Sequence, residues 1–269
     1  MSNWYLGPVA KQEYRMQWNQ ARKRLNLFFY LALFLPFLAC LPFELNWLKT
    51  KASTGNFLTK PVALVVTPNG TGTAFLTGKT RLLTAAHVLC GMSKGEYVDL
   101  IFQNLDMEGG NSKRAKIIFL PASMPANCSL SESNLTALET DFAVLEMSLS
   151  DAPPSDITRF ILSPSSSAPT MQNVNVIGYP GGSGVGSDMP NCTVTGGIIS
   201  NETVSSLDLF QLNVTAFPGN SGGPLVLEKT NQVVGILIAG RPQFPGITLA
   251  CKSDKINHLL ELNKIDVEK

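Results

Sequence analysis

Two histidines in 269 residues reduce any acid–base or nucleophilic chemistry to a short inventory. His87 lies in Leu83-Thr84-Ala85-Ala86-His87-Val88-Leu89, among small and apolar residues that follow a predicted strand. A lone histidine in apolar surroundings is ordinarily a packed core residue, so His87 draws its weight from what else the chain carries. Phe217-Pro218-Gly219-Asn220-Ser221-Gly222-Gly223-Pro224 is too glycine-rich for a packed strand. Glycine admits positive φ and close backbone approach to a substrate. A serine on such a turn presents its Oγ outward while neighbouring N–H groups converge, and here Gly219 and Ser221 are the candidate donors of an oxyanion hole. The plainer reading is an ordinary Gly/Asn/Ser hairpin loop.

A serine hydroxyl near neutral pH needs a base, and the base needs an orienting group. Asp141, in Thr140-Asp141-Phe142-Ala143-Val144-Leu145, heads an apolar run and is the carboxylate that folding would shield. Asp106, Asp151 and Asp156 stand in polar or Pro-rich stretches and read as solvated turn residues. Asp99, in Tyr97-Val98-Asp99-Leu100, is the rival. The three catalytic candidates run in the order His87, Asp141, Ser221. His258, on a segment Ser253 to Asn263 that predicts an amphipathic helix with Ser253 as N-cap, reads as a surface residue.

The elements that must position these residues are short and β-branched, separated by Gly, Pro, Asn and Ser. Val62–Val66, Thr73–Leu76, Tyr97–Phe102, Ala115–Leu120 and Phe142–Met147 form a first set of predicted strands. Val174–Tyr179, Thr193–Ile199, Leu207–Val214, Leu225–Leu227, Val233–Ala239 and Ile247–Ala250 form a second. This spacing predicts an all-β architecture of sandwiches or barrels, in two six-strand units followed by a C-terminal helix, not βαβ units. The first unit is expected over residues 59–150 and the second, with the helix, over 171–269. A Ser/Pro/Ala-rich connection, 151–170, joins them. Residues 121–140 read as a surface loop. His87 and Asp141 then belong to the first unit and Ser221 to the second, with the site in the cleft between them.

Apolar residues make up 44% of the chain and charged residues 15%, enough for a real core. Net charge is +1 but unevenly placed: residues 1–24 carry +4 and the remainder −3. That balance offers no basic face for a nucleic-acid backbone, so DNA or RNA binding is disfavoured. Leu25 to Phe43 is uncharged and almost wholly apolar, long enough as a helix to cross a bilayer. The basic Arg22-Lys23-Arg24 before it predicts a cytoplasmic N-terminus, residues 1–24, and an extracytoplasmic remainder, periplasmic in a bacterium, reached through a linker at 44–58. A cleaved signal and a lipoprotein signal with Cys40 lipidated compete with a retained anchor. Cys90, Cys128, Cys192 and Cys251 allow up to two disulfides outside the cell, in three connectivities. No Cys-x-x-Cys pair, phosphate loop or cofactor fingerprint is present, so no metal and no cofactor is expected.

The blocks Thr71-Gly72-Thr73-Ala74-Phe75, Leu83 to Val88, and Thr140 to Leu145 resemble the strand, His and Asp segments of trypsin-like, chymotrypsin-fold serine proteases. Gly219 to Val226 is similar to the nucleophile segment of the HtrA/Deg branch. Val176 to Gly182, Thr193 to Ser200 and Val233 to Ile236 resemble further strands of that branch. The likeness spans roughly residues 60–260 and implies that the two units are six-stranded antiparallel β-barrels of the chymotrypsin type. It implies a PDZ-less, membrane-anchored serine endopeptidase acting on proteins or peptides through an acyl-enzyme, with His87, Asp141 and Ser221 as the triad and the N–H groups of Gly219 and Ser221 as the oxyanion hole. It also puts Thr215 at the base of the primary specificity pocket, with Ala216, Ile238 and Ala239 in its walls. No acidic residue stands there, which implies small or medium apolar side chains before the scissile bond. The alternative is a catalytically silent protease fold that binds or senses at the membrane, against which the intact His/Asp/Ser set argues.

Overall fold

The computed structural model describes residues 57–107, 109–122, 132–181, 191–240 and 247–268. The chain divides into two compact units, Met1–Ser53 and Thr54–Lys269, and all described residues belong to the second. The expected membrane segment, 25–43, lies outside the described residues. Among those described, no helix is long and apolar enough to cross a membrane.

Six strands close the first barrel: β1 (Val62–Thr67), β2 (Gly70–Leu76), β3 (Arg81–Thr84), β4 (Tyr97–Ile101), β5 (Ser112–Phe119) and β6 (Ala143–Met147), in the order β1-β2-β3-β6-β5-β4 with antiparallel neighbours. Strand β5 shows why such segments become strands. Lys113, Ala115, Ile117 and Phe119 turn inward while Ser112, Arg114 and Lys116 face out, the period-two alternation of a half-buried strand. The inward Lys113 pairs its amine with Asp151 at 3.7 Å.

The second barrel comprises β8 (Asn173–Gly178), β9 (Thr193–Asn201), β10 (Leu209–Leu212), β11 (Pro224–Leu227), β12 (Gln232–Gly240) and β13 (Thr248–Lys252). Its order is β11-β8-β9-β10-β13-β12, closed by the β11–β12 pairing. A two-residue strand, β7 (Ile161–Leu162), adds to β12 in parallel. Helix α1 (Ser253–Leu262) follows and buries Ile256 and Leu260.

The two-barrel expectation holds, with local corrections. The first set of predicted strands lacked β3, because its four residues run directly into the His87 block. The connection at 151–170 holds β7 and is tied down by side-chain hydrogen bonds. Arg159 donates from Nε to Gly78 O at 3.0 Å and from its other nitrogens to the carbonyls of Pro153, Pro154 and Ile157. The Phe160 ring beside it packs edge-to-face on Phe75. Within 121–140, Glu132–Thr140 coils into 3-10 turns where a loop was expected. Ser253 does not cap α1: it is buried, and its hydroxyl donates to Ser163 O at 2.5 Å.

One apolar cluster runs through both barrels, from Leu64, Phe75, Leu83 and Val144 in the first to Ile177, Tyr179, Ile236 and Ile238 in the second. A second cluster fills the far side of the second barrel around Val176, Phe210, Leu225 and Ala250. The continuity of the first matters for function, because it makes the inter-barrel contact a rigid floor for groups contributed from both sides.

Candidate active site

Strand β3 ends at Thr84, and the chain then turns through the short 3-10 segment Ala86–Leu89. Ala85 and Ala86 are buried, so their small size lets the chain press into the inter-barrel floor while His87 projects half-exposed. Asp141 precedes β6 and is fully buried. Both of its oxygens serve His87. Oδ1 accepts the backbone N–H at 2.9 Å, and Oδ2 meets ring Nδ1 at 2.6 Å. Two bonds to one residue fix the ring's tilt and place its proton on Nδ1, leaving Nε2 as the basic nitrogen. Burial alone would lower the imidazole pKa, but the Asp141 charge and hydrogen bond outweigh it and hold His87 above its ordinary value of 6.5. Asp99, the rival, is exposed on β4 and faces Arg114.

The turn from Phe217 to Gly223 can be read peptide by peptide, since every buried backbone group must be accounted for. Asn220 N–H donates to Phe217 O at 3.0 Å across Pro218 and Gly219, and Gly219 has φ +98°. This is a type II turn, which takes Pro at its second position and a positive φ at its third. Pro218 O accepts Gly181 N–H at 2.7 Å, so the other end of that planar peptide, Gly219 N–H, points the opposite way. Gly219 O accepts the Thr73 hydroxyl at 2.7 Å, Asn220 O accepts Gly223 N–H at 3.0 Å, and Ser221 O accepts Thr73 N–H at 2.8 Å. Gly222 N–H donates to Leu237 O at 2.7 Å. Two donors remain. Among the described residues, neither Gly219 N–H nor Ser221 N–H gives a hydrogen bond, and these are the two groups the sequence nominated.

The Ser221 turn and the His87 segment meet through close backbone approach. A Cβ on Gly222 (φ +87°) would lie 2.2 Å from Thr73 O, 2.4 Å from Thr84 Oγ1 and 2.8 Å from Ala85 N, so only glycine fits. One on Gly72 would strike the Val88 methyls at 2.5 Å and approach Ser221 O at 3.1 Å. Ser221 is half-exposed, one residue from Gly222, which lies against Ala85, two residues before His87. Ser221 Oγ and His87 are not hydrogen-bonded in this arrangement; such bonds are often long before substrate binds and tighten in the complex.

The pocket residues are less unified. Thr215 is exposed, Ala216 packs against the second-barrel cluster, and Ile238 is buried in the inter-barrel cluster. The side chain of Ala239 lies outside the described residues. His258 is exposed on α1. Among the cysteines, Cys90 is disulfide-bonded, whereas Cys192 and Cys251 are free thiols. Burial pushes the Cys192 thiol up to about 12, the Tyr179 hydrogen bond pulling weakly the other way. Burial first, and then the charges of Asp141 and Glu139, hold Cys251 well above the usual thiol range. Both shifts disfavour the thiolate, the nucleophilic form, at neutral pH. Among the described residues, no group of His, Cys, Asp and Glu side chains is arranged to hold a metal ion.

Sequence reasoning missed Thr73 and Gly181 as supports of the turn. The hydroxyl of Thr73 also accepts Tyr179 N–H at 3.1 Å, and its carbonyl accepts Thr84 Oγ1 at 2.7 Å. The only signal was the small-residue run Thr71-Gly72-Thr73, which admits close approach without saying to what.

The model of the trypsin-like peptidase domain family matches residues 72–236, more than half of the chain. The chain belongs to this family. Family membership carries the activity class, serine endopeptidase. No curated protein matches the chain in sequence. Solved structures share the fold of this peptidase. An inactive form of the Rv3671c protease is 20% identical with a TM-score of 0.54, covering 76% of this chain and 89% of that one. The HtrA-type protease AlgW with a bound tripeptide is 23% identical at 0.56, over 77% of this chain. A serine endoprotease from Yersinia pestis is 23% identical at 0.51, over 76% of this chain. The peptidase spans 62% of the length of each of the last two.

Proposed function

We propose that this trypsin-like peptidase is a membrane-anchored endopeptidase that cleaves proteins or peptides on the extracytoplasmic side through a Ser221–His87–Asp141 triad. The observation that carries the triad is the doubly bonded Asp141–His87 pair, 2.6 Å at the ring, beside a turn in which the N–H groups of Gly219 and Ser221 give no hydrogen bond among the described residues. Ser221 Oγ attacks the scissile carbonyl as His87 Nε2 takes its proton. The new oxyanion is met by the N–H groups of Gly219 and Ser221, and the C–N bond breaks as His87 protonates the leaving amine. Water, deprotonated by the same nitrogen, then attacks the acyl-enzyme and releases Ser221. Asp141 stabilises the imidazolium formed in each half without taking the proton itself.

Two features support the membrane and compartment reading: the uncharged Leu25–Phe43 run behind a basic cluster, and the disulfide at Cys90, a bond that persists in oxidising compartments. The absence of an acidic residue at Thr215 and Ala216 supports small or medium apolar side chains before the cleaved bond.

Full-length protein in membranes, incubated with an unfolded protein such as casein, tests the activity. Wild type generates fragments and Ser221→Ala does not; equal cleavage by both overturns the proposal. Accessibility of single introduced cysteines at positions 5 and 55 to an impermeant thiol reagent in intact cells tests the topology. Labelling at 55 alone is expected, and labelling at 5 alone contradicts it.

A further inference from the structure

The oxyanion turn of the second barrel is held by a residue of the first. We propose that Thr73 is a positioning residue of the oxyanion hole, its buried hydroxyl clamping the Gly219 carbonyl and so holding the Gly219 and Ser221 N–H groups on their common target. The inference rests on the reading of those two N–H groups as the oxyanion hole.

The hydrogen-bond arithmetic at Thr73 leaves no freedom. Tyr179 N–H can only donate and Gly219 O can only accept, so the single hydroxyl proton must point at Gly219 O, 2.7 Å away, while Tyr179 N–H enters a lone pair at 3.1 Å. The side chain is fully buried on β2, so the clamp stands on rigid barrel wall. The same residue fixes the next carbonyl but one: its N–H reaches Ser221 O at 2.8 Å. Its carbonyl receives Thr84 Oγ1, three residues before His87. Thr73 therefore references the Gly219 peptide, the Ser221 peptide and the His87 segment to one point.

Such a clamp is needed because of the glycine. Gly219, lacking a Cβ, does not sterically resist rotation of the peptides on either side of it. What resists rotation is hydrogen bonding: Gly181 N–H on the Pro218 carbonyl, Thr73 Oγ1 on the Gly219 carbonyl, and Asn220 N–H on Phe217 O. Removing the hydroxyl orphans two buried groups, Gly219 O and Tyr179 N–H, and leaves the peptide between the two oxyanion donors held only by Asn220 N–H on Phe217 O. A second feature is consistent with a site built around that hydroxyl. Gly178 must lack a side chain, because a Cβ there would lie 2.9 Å from Thr73 Oγ1 and 3.0 Å from Asn220 Oδ1.

The test compares full-length wild type, Thr73→Val and Thr73→Ser on a fluorogenic peptide that wild type cleaves, with thermal melts showing each variant folded at the assay temperature. Inhibition by a peptide aldehyde, which becomes a tetrahedral oxyanion on the enzyme, is measured alongside. Thr73→Val keeps the shape without the hydroxyl; about a 10- to 100-fold fall in kcat is expected, below the loss from deleting a donor outright. KM stays within about threefold, and aldehyde affinity falls in parallel with kcat/KM. Thr73→Ser restores wild-type values to within about threefold. If Val does not fold, Thr73→Cys replaces it, with at least a tenfold deficit relative to Ser expected from its weak donor. A hydroxyl-free variant that keeps wild-type kcat overturns the assignment, and so does a Ser variant as impaired as Val, which would make the residue one of packing. A wild type that cleaves no peptide and binds no aldehyde overturns the protease reading itself.

Discussion

Replacing Asp141 with Asn tests the geometry of the site more sharply than deleting a catalytic group, because the shape is kept and only the proton arrangement changes. The carboxylate is fully buried and gives one oxygen to His87 N–H at 2.9 Å and the other to Nδ1 at 2.6 Å. An amide has one acceptor. The buried backbone N–H has no other acceptor among the described residues, so the amide oxygen turns to it and the NH2 faces Nδ1. Two N–H groups cannot point at each other, so Nδ1 gives up its proton and Nε2 takes it. The nitrogen that must accept the Ser221 proton is then already occupied. A fall of about 10⁴ in kcat is expected for this inverted tautomer, about 5 kcal/mol of transition-state stabilisation. The pH dependence moves as well. His87 works as a base only when neutral, and its pKa lies above 6.5 because Asp141 outweighs burial. Wild-type kcat/KM should therefore rise with pH through a value above 6.5. In Asp141→Asn the charge is gone and the burial remains, so the limb of the residual activity should fall below 6.5. The assay is kcat/KM for a fluorogenic peptide between pH 5 and 9, where the limb reports the free enzyme. Activity within tenfold of wild type, or a limb that stays or moves upward, would refute the reasoning.

Three further outcomes follow from the same structure. Gly222→Ala places a methyl 2.2 Å from Thr73 O at a positive φ, so the barrels cannot close on each other; an inactive protein with a thermal midpoint lowered by at least several degrees is expected in calorimetry. Arg159→Ala removes the bonds to Gly78 O, Pro153 O, Pro154 O and Ile157 O and should cost about 1–3 kcal/mol in urea unfolding without changing KM for a small peptide. In a panel of peptides varied before the scissile bond, Ala, Val and similar residues should be cleaved faster than Arg or Lys, because no carboxylate stands at Thr215 or Ala216; a basic preference would contradict this pocket assignment.

The candidate catalytic residues could be nominated from sequence because the chemistry proposed for them dictates their neighbours. A nucleophile turn needs glycines at close approaches, and Gly219 and Gly222 both have the positive φ that such a turn demands. Asp141 could be chosen over Asp99 because an apolar run behind it implied shielding, which its complete burial bears out. The strand pattern carried the two barrels, but not β7, whose two residues make no pattern, nor β3, hidden in the block that also holds His87. Ser253 looked like a helix cap from local sequence alone; its hydroxyl is instead satisfied by Ser163, across the fold. The role of Thr73 is legible only in three dimensions, since its hydroxyl partner lies 146 residues away in the chain. Local propensity cannot report a contact of that range.

The central claim is that Ser221 is an activated nucleophile in an assembled site. A fluorophosphonate probe reports this directly, because it phosphonylates only a serine whose base and oxyanion donors are in place. Full-length protein in membranes, treated with the probe and digested for mass spectrometry, should carry the label on Ser221 in wild type, carry none in Ser221→Ala, and react far more slowly in His87→Ala. Label on another residue, or wild type as unreactive as Ser221→Ala, would contradict the account.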